Sequence, residues 1–330
     1  MNVIEETLSN VHIGPSASFR NLTIYPIFGA TRPNDYVTLD EALANGAAVV
    51  TEISEQGHVP ELQFVNQAEM SVLLVDGEEL IGAKQNRILN ISILAPALCS
   101  LKIPVSCVEA GRWRAQSRAF RSSPRAHYAS GRAMKLKDVS LSMSGSECKP
   151  DRAQPSREMS GTAQRNSNQS AVWADIDRKM RRLRASSTTS AMSDIFEQHA
   201  AAVEEYVGAF QPQENQVGAG FLIGGQLIGV ELFDTPRSFE RLFPKLIRSY
   251  ALDAIDDSME LPRSVADQSP ETKSFSDFLK AAASAHYESF KAVGEGEDLR
   301  FSNSQVSGAA LYARERIVHL TAFANSDRKA

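Results

Sequence analysis

The chain has 330 residues, 42% hydrophobic and 23% charged, with a formal net charge of −5. This is ordinary globular composition, long enough for a large core, and it argues against a broad nucleic-acid footprint, which needs a basic face. Cys99, Cys107 and Cys148 are too few for a disulfide framework, and neither a signal peptide nor an apolar run of about 18 residues is present, so the expectation is a cytoplasmic location without a membrane anchor.

Residues 1–70 read as strands with one short helix. The run LTIYPIF (22–28) is β-rich, and Pro26, which has no N–H to give, predicts an edge or a bulge. Thr38 before Leu39, Asp40 and Glu41 predicts a capped helix over 39–45. Residues 48–53 and 61–66 are two further strands. Residues 72–75, 87–94 and 101–108 continue the sheet, with Asp76-Gly77 as a tight turn and Pro104 again implying an edge or bulge.

Residues 114–137 carry Arg114, Arg118, Arg121, Arg125, Arg132, Lys135 and Lys137 with few apolar partners. Residues 138–170 are Ser-, Gln- and Pro-rich. The whole of 114–170 reads as a basic, then polar, insertion or mobile loop that cannot offset the entropy of ordering. Residues 171–210 are helical: Trp173, Ile176, Met180 and Leu183 form one apolar stripe, with Lys179 off it. Two antiparallel helices or one broken helix fit equally well.

Gly224-Gly225-Gln226 predicts a hairpin between 220–223 and 227–233. Ser238 reads as the cap of a helix through Tyr250, and Pro244 either kinks it or moves its start. A polar connection over 257–273 precedes a helix over 274–293 with Phe275, Phe278, Leu279, Ala282, His286 and Phe290 as its stripe. Three strands close the chain at 299–301, 306–312 and 317–323, and the terminal SDRKA reads as frayed. Strands at both ends with helices between predict an α+β fold, its mixed or antiparallel sheet built from N- and C-terminal strands around a helical middle. The expected organisation is one discontinuous domain over 1–330.

Two blocks resemble a known family. DGEELIGAKQNRILN (76–90) and IPVSCVEAGRW (103–113) are similar to the signatures of the bacterial ARG and Rhodanese-Phosphatase-superfamily-associated protein domain. Weaker agreement continues at RSYALDAI (248–255) and VHLTAF (318–323). The family name records gene neighbours, ADP-ribosylglycohydrolases and rhodanese-fold phosphatases. The resemblance thus implies a place in ADP-ribose, NAD or phosphoester metabolism and carries over no activity.

The stretch 71–113 packs the most varied polar groups into turns between apolar strands. Glu79 and Glu109 are the acid–base candidates. Lys84, Arg87 and Arg112 are suited to anionic oxygens, Gln85 and Asn86 to specific hydrogen bonds, and Trp113 either stacks on a base or lids the core. Cys107 has no histidine near it in sequence and reads as a structural thiol. The six histidines form no metal pattern, and no cofactor motif is present. His319, central in an apolar strand, stands out among them.

Two readings stand. One is a site for a nucleotide-like or ADP-ribose-related small molecule. The other is a non-enzymatic module for a protein partner, its polar cluster structural. Nucleic-acid binding through 112–137, with Phe120 and Tyr128 as stacking rings, is a weaker third reading.

Overall fold

The computed structural model describes residues 2–54, 60–114, 116–146, 165–260 and 272–325. Helix α1 (Val3–Ser9) starts at a capping box in which Asn2 and Glu5 exchange side-chain bonds to each other's N–H. Strands β1 (His12–Ile13), β2 (Ala17–Phe19), β3 (Leu22–Phe28) and β4 (Tyr36–Thr38) follow. Helix α2 (Leu39–Ala44) has the expected Thr38 cap, with Glu41 completing the box. Then come β5 (Ala48–Glu52), β6 (Glu61–Asn66), β7 (Ser71–Leu74), β8 (Glu78–Gly82), β9 (Arg87–Leu89), β10 (Ile93–Ala95), β11 (Ser100–Cys107) and β12 (Ala119–Ala126). The helical middle is α3 (Ala129–Ser146), α4 (Gln169–Arg182), α5 (Met192–Gln198) and α6 (Ala200–Ala209). The hairpin β13 (Gln216–Ile223) and β14 (Gln226–Phe233) precedes α7 (Pro236–Glu260) and α8 (Thr272–Ala283). The chain ends in β15 (His286–Lys291), β16 (Glu297–Ser302), β17 (Val306–Ala313) and β18 (Arg316–Ala324).

The fold is mixed α+β. A nine-stranded antiparallel sheet runs β1-β3-β13-β14-β18-β17-β16-β15, with β2 also on β3, so N- and C-terminal strands share one sheet, joined through the β13–β14 hairpin. Strands β11-β6-β5-β12-β8-β9 close into a barrel, and β10-β7-β4 form a small third sheet. One face of the large sheet packs on α4 to α7 through residues such as Phe221, Ile247 and Tyr250. The other face meets α1 and α8 through Ile4, Leu8, Phe275 and Leu279. The barrel has its own core of Val50, Leu62, Phe64, Leu80, Leu89, Ile103, Val105 and Phe120.

The prolines sit where no ladder needs their nitrogen. Pro26 falls between the part of β3 that pairs with β2 and the part that pairs with β1. Pro104 is the residue at which β11 stops pairing with β6, just before it meets β9. Helix α7 begins at Pro236, before the expected Ser238, because Thr235 Oγ1 accepts the Ser238 N–H at 3.1 Å. The Gly224-Gly225 turn forms as expected, with φ of 57° and 78°.

Three expectations are corrected. Residues 119–126 and 129–146, expected within a mobile insertion, are β12 and α3. Barrel closure supplies β12 with two partners, β5 and β8, and α3 buries Arg132 and Lys135 in ion pairs. Residues 147–164 of that insertion, 261–271 of the polar connection, the terminal 326–330 and Cys148 lie outside the described residues. The helix expected over 274–293 stops at Ala283, and its last part is β15, won over by pairing with β16. Lys179, placed off the apolar stripe, is buried between Asp253 and Asp256.

His127 joins β12 to α3 and is fully buried, with neither ring nitrogen bonded to a described residue. Burial, then the cations Lys135, Arg132 and Lys179, push its pKa well below the usual 6.5. The unfolded chain takes up this proton near pH 6.5 and the folded chain does not. Stability present above that pH is therefore lost as the pH falls below it, by at most about 1.4 kcal/mol per pH unit. Urea unfolding between pH 7 and 5 should show a slope that is shallower by up to one proton in His127→Leu; an unchanged slope would contradict this role.

Candidate functional site

Cross-strand partners share a face, so the barrel registers fix what points inward. Arg87 lies opposite Leu80 and Cys107, and Glu52 opposite Leu62. Arg87, Cys107 and Glu52 thus share the inner face at one end of the barrel. This mouth is where β5, β8 and β11 end and where β6, β9 and β12 begin. Helix α4 abuts it: Gln169 accepts the Cys107 N–H and donates to the Cys107 carbonyl, each at 2.8 Å.

Arg87 is wholly buried. Its Nη1 donates to Gln85 Oε1 at 2.9 Å, but Nε and Nη2 have no hydrogen-bond partner among the described residues. Glu52 is its nearest counter-charge, 4.0 Å from Nη2, and both Glu52 oxygens are unpartnered as well. Trp173 Nε1, also buried, has no oxygen or nitrogen partner among the described residues and faces the Cys107 thiol. The Cys107 thiol lies beside Arg87, Gln85 and Trp173, and burial pushes its pKa up, so it stays protonated at neutral pH. At the rim Trp113 is 49% exposed, with Lys84 Nζ 5.3 Å and the Arg87 guanidinium 6.0 Å from its ring centroid.

Arg112 is the opposite case. Nε and Nη2 clasp the two Glu109 oxygens at 2.8 and 2.6 Å, Nη1 donates to Ala83 O and Arg114 O, and Nη2 also reaches Asn86 Oδ1. Glu109 further accepts from the Asn86 N–H and Thr189 Oγ1. Burial opposes its charge, but Arg112 and these donors hold its carboxyl below the usual value. Glu109, Arg112 and Asn86 thus form a closed clamp under the rim. Glu79 is elsewhere. It lies opposite Ile88 on the outer face of the barrel, bonded to Ser123 at 2.7 Å and paired with Arg125 at 3.3 Å, and burial pushes its pKa up.

The structure therefore brings together Lys84, Gln85, Arg87 and Trp113 at the mouth, places Asn86, Glu109 and Arg112 beneath it, and leaves Glu79 out. Glu52 and Trp173 were missed. Both sat within predicted elements, and only barrel closure brings Glu52 to Arg87 and only α4 packing brings Trp173 to Cys107.

A second polar cluster lies beyond the other end of β9. Asp76 pairs with Lys135, which also donates to Leu89 O and Asn90 O. Burial lowers the Lys135 pKa to about 8. Arg132 pairs with Glu231 at 2.7 Å. Beside them Asp76, Asn90, Ser92, Asp298, Arg300 and His319 line a cavity with about 10 Å³ open to the centre of a water molecule. Among the described residues no group of three or more His, Cys, Asp or Glu is placed to hold a metal, and no helix is long and apolar enough to cross a membrane.

A model of the ARG and Rhodanese-Phosphatase-superfamily-associated Protein domain matches residues 10–323. The chain belongs to this family. The curated proteins and the solved structures gave no match. The two blocks that resemble the family, 76–90 and 103–113, face each other across the barrel mouth. Gln85 Nε2 donates to Glu109 O, the Asn86 N–H to the Glu109 carboxylate, and the Val108 N–H to Asn86 O. In this family member the two blocks are one clamp, closed by Arg112. Removing one partner of such a pair leaves a buried charge alone, at a cost of about 3–5 kcal/mol. Arg112→Met should lower the unfolding free energy by that amount in urea titration; a wild-type midpoint would show that the clamp carries no stability.

Proposed function

We propose that the barrel mouth binds a small anionic ligand of nucleotide or ADP-ribose type. The observation that supports this best is Arg87, a fully buried guanidinium with Nε and Nη2 unpartnered among the described residues. A buried charged donor left unsatisfied is costly. The Nε and Nη2 edge is the fork that takes two oxygens of one phosphate or carboxylate. Lys84 adds charge at the rim, and the half-exposed Trp113 offers a ring for a base. Gln85 and Asn86 are bonded to their neighbours, so they position Arg87 and Arg112. Glu109, with its oxygens held by Arg112, Asn86 and Thr189, anchors the rim. The family's gene neighbourhood points to ADP-ribose-related ligands among the possible anions.

A second reading, a non-enzymatic module for a protein partner, is favoured by the closed Glu109–Arg112 clamp and by the exposure of Trp113. The two separate on Arg87. A ligand site holds Arg87 at a cost, so Arg87→Met should melt no lower than wild type in the absence of ligand. A structural Arg87 would cost about 3–5 kcal/mol on removal.

The test is thermal shift and calorimetry with ADP-ribose, AMP and inorganic phosphate. A ligand at about a hundred times its dissociation constant should stabilise the wild type by roughly 2.7 kcal/mol. Arg87→Met should abolish that shift, and Trp113→Ala should weaken a base-bearing ligand by about 1–3 kcal/mol without weakening phosphate. Failure of all three ligands with wild type, or equal binding by folded Arg87→Met, would contradict the reading.

A further inference from the structure

Ser92, His319 and Glu231 come from three separate stretches, the loop before β10, β18 and β14, and meet end to end. Ser92 Oγ is 2.8 Å from His319 Nδ1, and His319 Nε2 is 3.3 Å from Glu231 Oε2. The register between β14 and β18 makes this possible, because Phe233 lies opposite His319 and Glu231 opposite Thr321. Phe233 also packs its ring 4.6 Å from the imidazole, which limits ring rotation.

The direction of the hydrogen bonds follows from the neighbours. The Asp76 N–H already donates to Ser92 Oγ at 3.0 Å, which leaves the serine proton to face Nδ1. With the serine proton on that side, the ring hydrogen lies on Nε2 and is donated to Glu231. Glu231 is wholly buried, yet Arg132 and His319 hold its carboxyl below the usual value, so it stays ionised. Tyr250 Oη donates to it as well, at 3.1 Å. The order is hydroxyl, base, carboxylate: the arrangement that activates a serine.

Ser92 is part-exposed, and it lines the cavity with Asp76, Asn90, Asp298, Arg300 and His319. The cavity has room for about one water molecule, so an ester would meet Ser92 from its part-exposed side. Arg300, held in place by Asp298 at 2.8 and 3.0 Å, supplies positive charge on the same wall.

We propose that Ser92 is a nucleophile, with His319 as its base and Glu231 as the group that orients the imidazole, acting on an ester with a small acyl group. Ser92 Oγ bonds to the carbonyl carbon as its proton passes to His319 Nδ1. The ester C–O bond then breaks, and the leaving oxygen takes that proton. Water attacks the acyl-serine, gives one proton to His319, and the acid leaves as Ser92 regains its hydrogen. Arg300 offsets charge on the carbonyl oxygen. This site is independent of the barrel mouth and stands or falls separately.

Methanesulfonyl fluoride is the probe, because its electrophilic group is small. Ser92 Oγ would bond to sulfur, the S–F bond would break to release fluoride, and the proton would pass through His319 to solvent. Peptide mass spectrometry of the whole chain should find one adduct, on Ser92. Ser92→Ala should give none, and His319→Gln should label at least about 100-fold more slowly. Wild type decides the matter even where a variant fails to fold, since an unactivated serine does not react. No adduct under conditions that modify a known serine hydrolase, an adduct on another residue only, or equal labelling of folded His319→Gln would overturn the proposal.

Discussion

Arg132 joins the two halves of this molecule. Its guanidinium is wholly buried, bonded to both oxygens of Glu231 on β14 at 2.7 and 3.2 Å and 3.7 Å from Asp76 at the base of the barrel. Phe323 of β18 lies beneath it at 5.5 Å. Three residues further along α3, Lys135 grips Asp76 and two carbonyls at the end of β9. One helix therefore holds the large sheet with one cation and the barrel with another. The approach is so close that Gly77, at a φ of +84°, leaves no room for a Cβ, which would stand 2.8 Å from Arg132 Cδ. Lys245 repeats the device between α7, Asp40 and Glu78, and Lys179 between α4, Asp253 and Asp256. The desolvation of Arg132, Lys245 and Lys179 is offset by two carboxylates each, and that of Lys135 by one carboxylate and two carbonyls, so each joint is stable complete and unstable in part.

Against that pattern Arg87 is the exception. Arg112, 25 residues later, places all three nitrogens on acceptors, and Arg132 has two carboxylates near it. Arg87 is as deeply buried and, among the described residues, has one firm bond, to Gln85. Stability explains the satisfied arginines. Stability does not explain an unsatisfied one at the end of a barrel, beside an exposed tryptophan, and that contrast is what supports the proposed ligand site at the barrel mouth.

Local chemistry was legible in the sequence and long-range pairing was not. The Thr38 cap, the Gly224-Gly225 hairpin, strand β3 and the three C-terminal strands follow from signals within a few residues of each other. His319 was visible as a histidine in an apolar strand, but its partners Ser92 and Glu231 lie 227 and 88 residues away. The α3 segment reads as polar because its burial relies on Arg132 and Lys135, charges that look solvated until Glu231 and Asp76 are brought to them. The β15 segment has a helix-like stripe in His286 and Phe290, and only β16 makes it a strand. Of the candidate site, Arg87, Gln85, Lys84 and Trp113 were legible as a group. Closure of the barrel was not, so Glu79 could not be set on its outer face nor Glu52 and Trp173 at its mouth.

The most direct test of this account is equilibrium urea unfolding of Arg132→Met, followed by tryptophan fluorescence and far-ultraviolet circular dichroism together. Trp113 and Trp173 both report from the barrel mouth, whereas dichroism reports the helices and the large sheet. If Arg132 locks the halves together, both signals should shift to lower urea, with a loss of about 3–5 kcal/mol. A variant that unfolds at the wild-type midpoint by both signals would show that barrel and sheet are held by something else.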